Sequence, residues 1–365
     1  MNGLYGLPAA AVAVGPSLGI PGPFWLFTLL HWLTFSLHLI AMNILFGGLL
    51  VFVAVRQSPL RRLLFDTETK LLPTLLAATI TLGVAPLLFV QLVYGEYFYS
   101  AAIVSAWNWF SIIPVLLVTY YMLYFVALRH NLSDKVKINL LIAAAVGFAY
   151  ISLTFTMISD LAEKPNLWAG LYRISTSGAG LNPDFHETIF RWLHILAGGL
   201  AVAGMAVTLL PLHYHKVKGN PDLLRFGSRI FMLGVLSAAI MGLVYLLVIE
   251  RTVLNRFLLS PGLHAVGAAI VFNIAAIVLI HKGMKSERPH LEVWTAAGLV
   301  FAGLFCMIVG RHVLRLVYLQ GRFDPAALEV SPQWSTFAVF VIVLIAGLVT
   351  LWWILRLYVK ARTAV

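Results

Sequence analysis

Nine long apolar runs, near residues 24–55, 70–93, 108–128, 136–159, 188–212, 228–249, 260–281, 293–318 and 334–358, decide most of what this chain can become. Each has the roughly 20 residues that, at about 1.5 Å rise per residue, carry a helix across the hydrocarbon core of a bilayer. With 61% hydrophobic and 11% charged residues, the chain has too few polar side chains to coat so many helices in water. The pattern predicts an all-α, polytopic membrane helix bundle of about nine transmembrane helices. Residues 1–23 then form an external N-terminal segment, 24–358 a single bundle, and 359–365 a cytoplasmic tail. Pro73, Pro86 and Pro114 fall inside or at the ends of the runs and are candidates for kinks.

Charge orients the bundle. Alternate connections (56–70, 129–137, 213–229, 282–292 and the tail from 356) hold 17 of the 25 Lys and Arg, and the opposite face carries as many acids as bases. By the positive-inside rule the basic face is cytoplasmic, with the N-terminus outside and the C-terminus inside. The basic excess sits in short juxtamembrane stretches such as RQSPLRRLLF, where it meets anionic lipid, so nucleic acid is not an expected partner. No Lys or Arg precedes the first apolar run, so the N-terminus lacks the charged region of a secretory signal and reads as a retained segment. A single cysteine, Cys306, excludes a disulfide framework, an iron–sulfur site and a Cys-x-x-Cys-His attachment for c-type haem. The longest connections, 160–187 and 319–333, are both expected outside, where a partner or a substrate would approach.

Ionisable groups within spanning helices are costly, and here they are almost all histidine. His130, His213, His215, His281 and His290 fall at cytoplasmic ends and read as interfacial residues. His31 on the first run, His194 on the fifth, His264 on the seventh and His312 on the eighth come to one level in the outer leaflet, flanked by His38 and by His186 at the external mouth. A catalytic metal ion would want carboxylates or thiolates beside these imidazoles, and the helix interiors contain no Asp or Glu. Haem b needs only axial imidazoles, an apolar slot and small residues where the macrocycle presses on a helix. Gly198 and Gly199 follow His194, Gly262 and Gly267 bracket His264, and Gly310 precedes His312. Arg191, Arg311 and Arg315 lie where they could pair with propionates. The alternative for any one of these histidines is an interhelical hydrogen bond.

The chain resembles subunit I of the cytochrome bd-type quinol oxidases along nearly its whole length. FTLLHWLTFSLHLIAMNILFGG places His31 on that family's first-helix haem ligand, and TKLLPTLLAATITLGVA and the run ending in Met157 follow in the same order. FRWLHILAGGLAVAGM is similar to the segment with the low-spin haem histidine, which maps to His194. GRHVLRLVYL resembles the Gly-Arg-Gln-Pro-Trp signature, keeping Gly310 and Arg311 but setting His312 in the glutamine position. The departures point away from oxygen reduction. The family's third-helix carboxylates have no counterpart in SIIPVLLVTYYMLYF, Tyr318 stands near the place of a high-spin haem glutamate, and the quinol-binding loop is cut to ERTVLNRFLLS. His264 stands about where the family has a methionine, which implies a bis-histidine haem with His194.

The expectation is a haem b subunit of a respiratory electron-transfer complex in a bacterial inner (cytoplasmic) membrane. It would act as an oxidoreductase between quinol or quinone and an external partner such as a multihaem cytochrome c. His194 with His264 is the first axial pair and His31 with His312 the second, for two or more haems; His38 and His186 remain for a third haem or for quinol hydrogen bonding. Glu250 and Arg251 are candidates for binding quinol, or else form an interfacial ion pair. Two alternatives stand beside this: a haem-free polytopic transporter or assembly subunit, and a divergent bd-type oxidase in which Gln91 or Tyr318 replaces the lost groups. A transporter would favour inverted repeats and charges at the bilayer midplane.

Overall fold

The computed structural model describes residues 19–55, 71–129, 131–213, 219–286 and 289–363, and among them every regular element is a helix. Eleven α-helices follow one another: α1 Phe24–Val55, α2 Leu72–Val104, α3 Ala106–Leu128, α4 Asp134–Ala162, α5 Trp168–Ile174, α6 Phe185–His213, α7 Pro221–Val248, α8 Arg251–Leu258, α9 Pro261–Gly283, α10 His290–Tyr318 and α11 Trp334–Thr363. Eight of them (α1–α4, α6, α7, α9 and α10) are long and apolar enough to cross a bilayer. Their outer faces are apolar: Leu88, Ile113, Leu243 and Val271 are each more than half exposed. A bundle that turns such residues outward is a polytopic membrane protein in contact with lipid.

Several elements depart from the expected runs. α2 continues to Val104, eleven residues past the expected end, with a non-helical residue at Tyr94 (φ −120°, ψ 28°) where two helical stretches join. The long connections carry the short helices α5 and α8 and two 3-10 turns, Pro165–Leu167 and Pro325–Ala327. Pro73 sits in the first turn of α2, where its missing N–H costs nothing, while Pro86 and Pro114 lie inside α2 and α3. The ninth run is helical as α11, but most of its described large side chains, Trp334, Ile342 and Trp352 among them, stand exposed. Residues 1–18, the basic stretch 56–70, His130, His215 and the last two residues lie outside the described residues, as does the side chain of His213.

Small residues bring the helices together, as expected where lipid is no less apolar than leucine and close backbone approach must supply the attraction. α6 and α7 pair along their length: a Cβ on Gly204 would strike the Phe231 backbone, and one on Gly234 the Ala201 backbone. α1 meets α6 at Gly47, where a Cβ would come within 2.5 Å of Gly199 O, and Asn43 lies beside the same glycine. α9 and α10 form a second close hairpin against this body. One end of the bundle carries the connections 163–184 and 319–333 and is called the loop-rich end below. There the segment before α1 joins the segment before α11: Ile20 N–H donates to Glu329 O at 2.8 Å, and Ser331 N–H to Ile20 O at 2.9 Å.

Candidate functional site

Two of the candidate histidines are seated in the same way. Nδ1–H of His38 on α1 donates to the backbone carbonyl of Thr79 on α2 at 3.0 Å. Nδ1–H of His194 on α6 donates to Ala238 O on α7 at 2.8 Å. A helix carbonyl is normally shadowed by the side chain four residues on, which leans back over it. In both cases that residue is glycine, Gly83 and Gly242. A Cβ there would stand 2.8 Å from His38 Cε1 and 2.9 Å from His194 Nδ1, so the imidazoles lie in notches that only glycine leaves. A proton fixed on Nδ1 leaves the Nε2 lone pair free, and a backbone carbonyl on the other ring nitrogen is the usual support of a metal-ligating histidine. Both residues also lie five positions from the Asn43–Gly199 contact toward the loop-rich end, about 7.5 Å along their helices.

His31 is anchored similarly, with Nδ1–H donating to Pro86 O at 3.2 Å, and its ring stacks on Phe35 at 5.4 Å. Phe35 stacks in turn on His38 at 6.1 Å, so His31, Phe35 and His38 form one column on the face of α1 turned to α2. Trp32, the residue after His31, meets the His312 ring at 5.4 Å and nearly edge-on. His312 is buried, and its ring also approaches Phe24 at 6.1 Å and Tyr94 at 6.2 Å.

The first expected pair stands differently. His264 lies exposed in the first turn of α9, and among the described residues no ring contact joins it to His194. Open space lies further along each of the two helices. A Cβ on Gly198, one turn beyond His194, or on Gly267, three residues beyond His264, would have no atom within 4 Å. α6, α7, α9 and α10 pack together through a cluster with Met205, Phe231, Ile280 and Val293, and nearer the loop-rich end α7, α8 and α10 pack through Tyr245, Phe257 and Leu314. His186 is exposed at the start of α6; Glu250 and Arg251 are exposed at the α7–α8 turn, where the Glu250 carboxylate accepts from the Thr252 hydroxyl. His281 and His290 are exposed at the opposite end.

At the loop-rich end the arginines expected to face propionates have carboxylate partners from the chain itself. Arg191 pairs with Asp160, and Arg311 grips both oxygens of Glu163, Oε2 at 2.6 Å, while Arg315 Nε reaches Glu163 Oε1 at 3.2 Å. Lys164 bridges Asp184 at 2.7 Å and Glu187 at 2.6 Å, and Tyr318 O–H donates to Glu187 at 3.2 Å. Four cations meet four carboxylates, and Asp160, Glu163, Glu187 and Arg191 are buried. Burial alone would push the Glu163 carboxyl up, but the guanidiniums of Arg311, Arg191 and Arg315 outweigh it and hold the group below the usual carboxylate range. Burial alone would lower Lys164, but Glu187 and Asp184 outweigh it and hold the ammonium above the ordinary lysine value.

In and beside this network several buried polar atoms have no partner: Thr28 Oγ1, Trp32 Nε1, Tyr94 OH, Asp160 Oδ2, His312 Nδ1, and Nε and Nη1 of Arg311. A buried group left unsatisfied costs about 1–3 kcal/mol. Of these residues, Trp32 and Tyr94 have rings that flank His312. Among the described residues no group of three or more His, Cys, Asp or Glu could hold a metal ion. The buried Asp160 and Glu163 escaped the sequence reading, which left them on an outer face. Arg311 and Arg315, one turn apart on a single apolar helix, were the signal that counter-charges had to lie opposite. No family model matches the chain, and no curated protein matches it.

Proposed function

We propose that this chain is a haem b-binding membrane subunit that passes electrons between quinol or quinone and a partner docked at the loop-rich end. The observation that carries the reading is the pair of seated imidazoles. His38 and His194 are each fixed through Nδ1 to a neighbouring helix by a carbonyl-and-glycine notch, with Nε2 free. An ion needs three or four side-chain ligands together, whereas iron in a porphyrin asks the protein for axial ones only, and isolated imidazoles meet that demand. The open space at Gly198 and Gly267 favours a flat group beside His194, with His264 as the opposite ligand; His38 and His31 are the candidates for a second haem on the α1–α2 side. Bound there, haem b would supply a one-electron carrier, and the chain would hold it, orient it and exclude water. The likeness of the His31, His194 and Gly310–Arg311 segments to bd-type oxidase subunit I supports the same class.

With the basic connections inside, the loop-rich end faces the periplasm of a bacterial inner membrane, α11 is a ninth span, and the N-terminus is outside. A multihaem cytochrome c is the partner class suited to the loops there. A second reading keeps the bundle and removes the haem: the same Nδ1 bonds then serve only to join helices, as in an assembly subunit. The reduced-minus-oxidised spectrum of the purified chain separates the two. We expect a haem b α-band, and we expect His194→Ala and His264→Ala to remove the same component. A chain purified from haem-replete cells with no such band refutes the proposal, and two different components lost refute the pairing.

A further inference from the structure

An open groove of about 600 Å³ lies on the outer face of the α3–α4 hairpin, at the end of the bundle opposite the loop-rich one. α3 has two faces there. Thr119, Leu123 and Val126 are buried, and Leu123 and Val126 pack into one core cluster with Leu141 and Ala144 of α4. The other face, with Val118, Tyr121, Met122, Phe125 and Leu128, forms the groove together with Leu140 of α4. Residues 118 to 128 are ten steps of helix, about 15 Å, and half of a hydrocarbon core roughly 30 Å thick is a single leaflet. The groove therefore has the length of one acyl chain lying along one leaflet.

Its end is charged. Arg129, the residue that closes α3, is the one cation among the described residues that line the groove, and none of them is acidic. Its guanidinium lies 5.8 Å from the centre of the Phe125 ring, which holds the cation over the groove instead of out in water. The planar fork of a guanidinium matches the oxygens of a phosphate. Lys135 and Lys137 stand just beyond, at the start of α4, against a single acid, Asp134. A zwitterionic headgroup would bring its own ammonium to a place already positive, whereas a headgroup with net negative charge complements it. An apolar trough of leaflet length that ends in a guanidinium is thus the complement of an acyl chain joined to an anionic phosphate.

We propose that this groove binds an anionic phospholipid of the phosphatidylglycerol type, with one acyl chain along residues 118–128 and the phosphate on Arg129. The site is separate from the seated histidines and stands whether or not the chain carries haem.

The test uses the full chain in detergent with phosphatidylglycerol bearing a photoreactive diazirine in one acyl chain, and mass spectrometry of the peptides it labels. Labelling should concentrate on residues 118–128 and 140, and excess unlabelled phosphatidylglycerol should compete for it far better than phosphatidylcholine with the same chains. A basic residue at an anionic lipid surface contributes about fivefold in affinity, so Arg129→Gln should lower labelling of the groove about fivefold at subsaturating lipid. Arg129→Lys keeps the charge without the fork and should recover much of it. Both substitutions fall on an exposed side chain, so the variants should purify as the wild type does. Equal competition by phosphatidylcholine overturns the proposal, because the groove would then hold any chain. Unchanged labelling in Arg129→Gln overturns it as well, and so does labelling spread evenly over the outer faces of the bundle.

Discussion

Gly242→Ala places one methyl group where the His194 imidazole lies, and its effect follows from two distances. The added Cβ would stand 2.9 Å from Nδ1 and 3.1 Å from Cε1, inside ordinary van der Waals contact, so either the ring or α7 must shift by a few tenths of an ångström. The ring is the softer element, because α7 is locked to α6 through Gly204, Gly227 and Gly234. Displacing it lengthens or breaks the 2.8 Å bond to Ala238 O. An interhelical side-chain bond in a membrane protein is worth about 0.6–2 kcal/mol, so thermal unfolding in detergent should shift modestly and the chain should still purify as a monodisperse species. The orientation of the ring is a different matter. Removing the second partner of a metal-ligating histidine costs about 10–100-fold in metal affinity, so haem retained on purification should fall far more than stability does. Gly198→Ala is the companion: its Cβ meets no protein atom, so stability should not move, and haem content should fall if the macrocycle occupies that space. A Gly242→Ala protein with full haem content and an unchanged spectrum would refute the reasoning, because the notch would then serve packing alone.

Glu163→Gln removes the charge that Arg311 and Arg315 share in a buried setting, and a loss of about 3–5 kcal/mol is expected, read as a lowered unfolding temperature. The pH dependence has a definite sign. Because the folded Glu163 carboxyl is held below its ordinary range, its contribution is present above the ordinary carboxylate value and is lost as pH falls through the depressed one; the wild type should lose stability there and the Gln variant should not. Lys164 behaves in the opposite sense: its contribution holds up to the ordinary lysine value and is lost as pH rises through the raised one, so Lys164→Met should flatten the alkaline limb of the same curve. Gly204→Leu forces a side chain into the Phe231 backbone and should abolish recovery of folded protein, scored by size-exclusion chromatography.

Apolar length alone made the spans legible, because a helix in lipid must satisfy its own backbone and leaves a continuous mark in the sequence. It could not show that α2 runs on to Val104, since Gly95, Glu96 and Tyr97 interrupt the apolar pattern while the helix persists around its break at Tyr94. The histidines as a set were legible, being the rare ionisable groups inside the runs. Their partners were not. Thr79 and Ala238 act through backbone carbonyls, which have no sequence signature, and Gly83 and Gly242 matter only once one knows which helices adjoin. Nor does the sequence tell that His31 anchors on α2 while its neighbour Trp32 meets the His312 ring, since only the packing says which helix each faces.

α1 and α6 approach backbone to backbone at Gly47 and Gly199, and both run from that point toward the loop-rich end. Two rods held closest at one spot act like a pair of tongs, with small tilts at the fulcrum multiplied along the arms. His38 and His194 ride those arms at equal reach, each clamped to an outer helix that must travel with it. Replacing Gly47 by a bulkier residue would open the jaws, moving the two imidazoles apart without altering either of their hydrogen bonds.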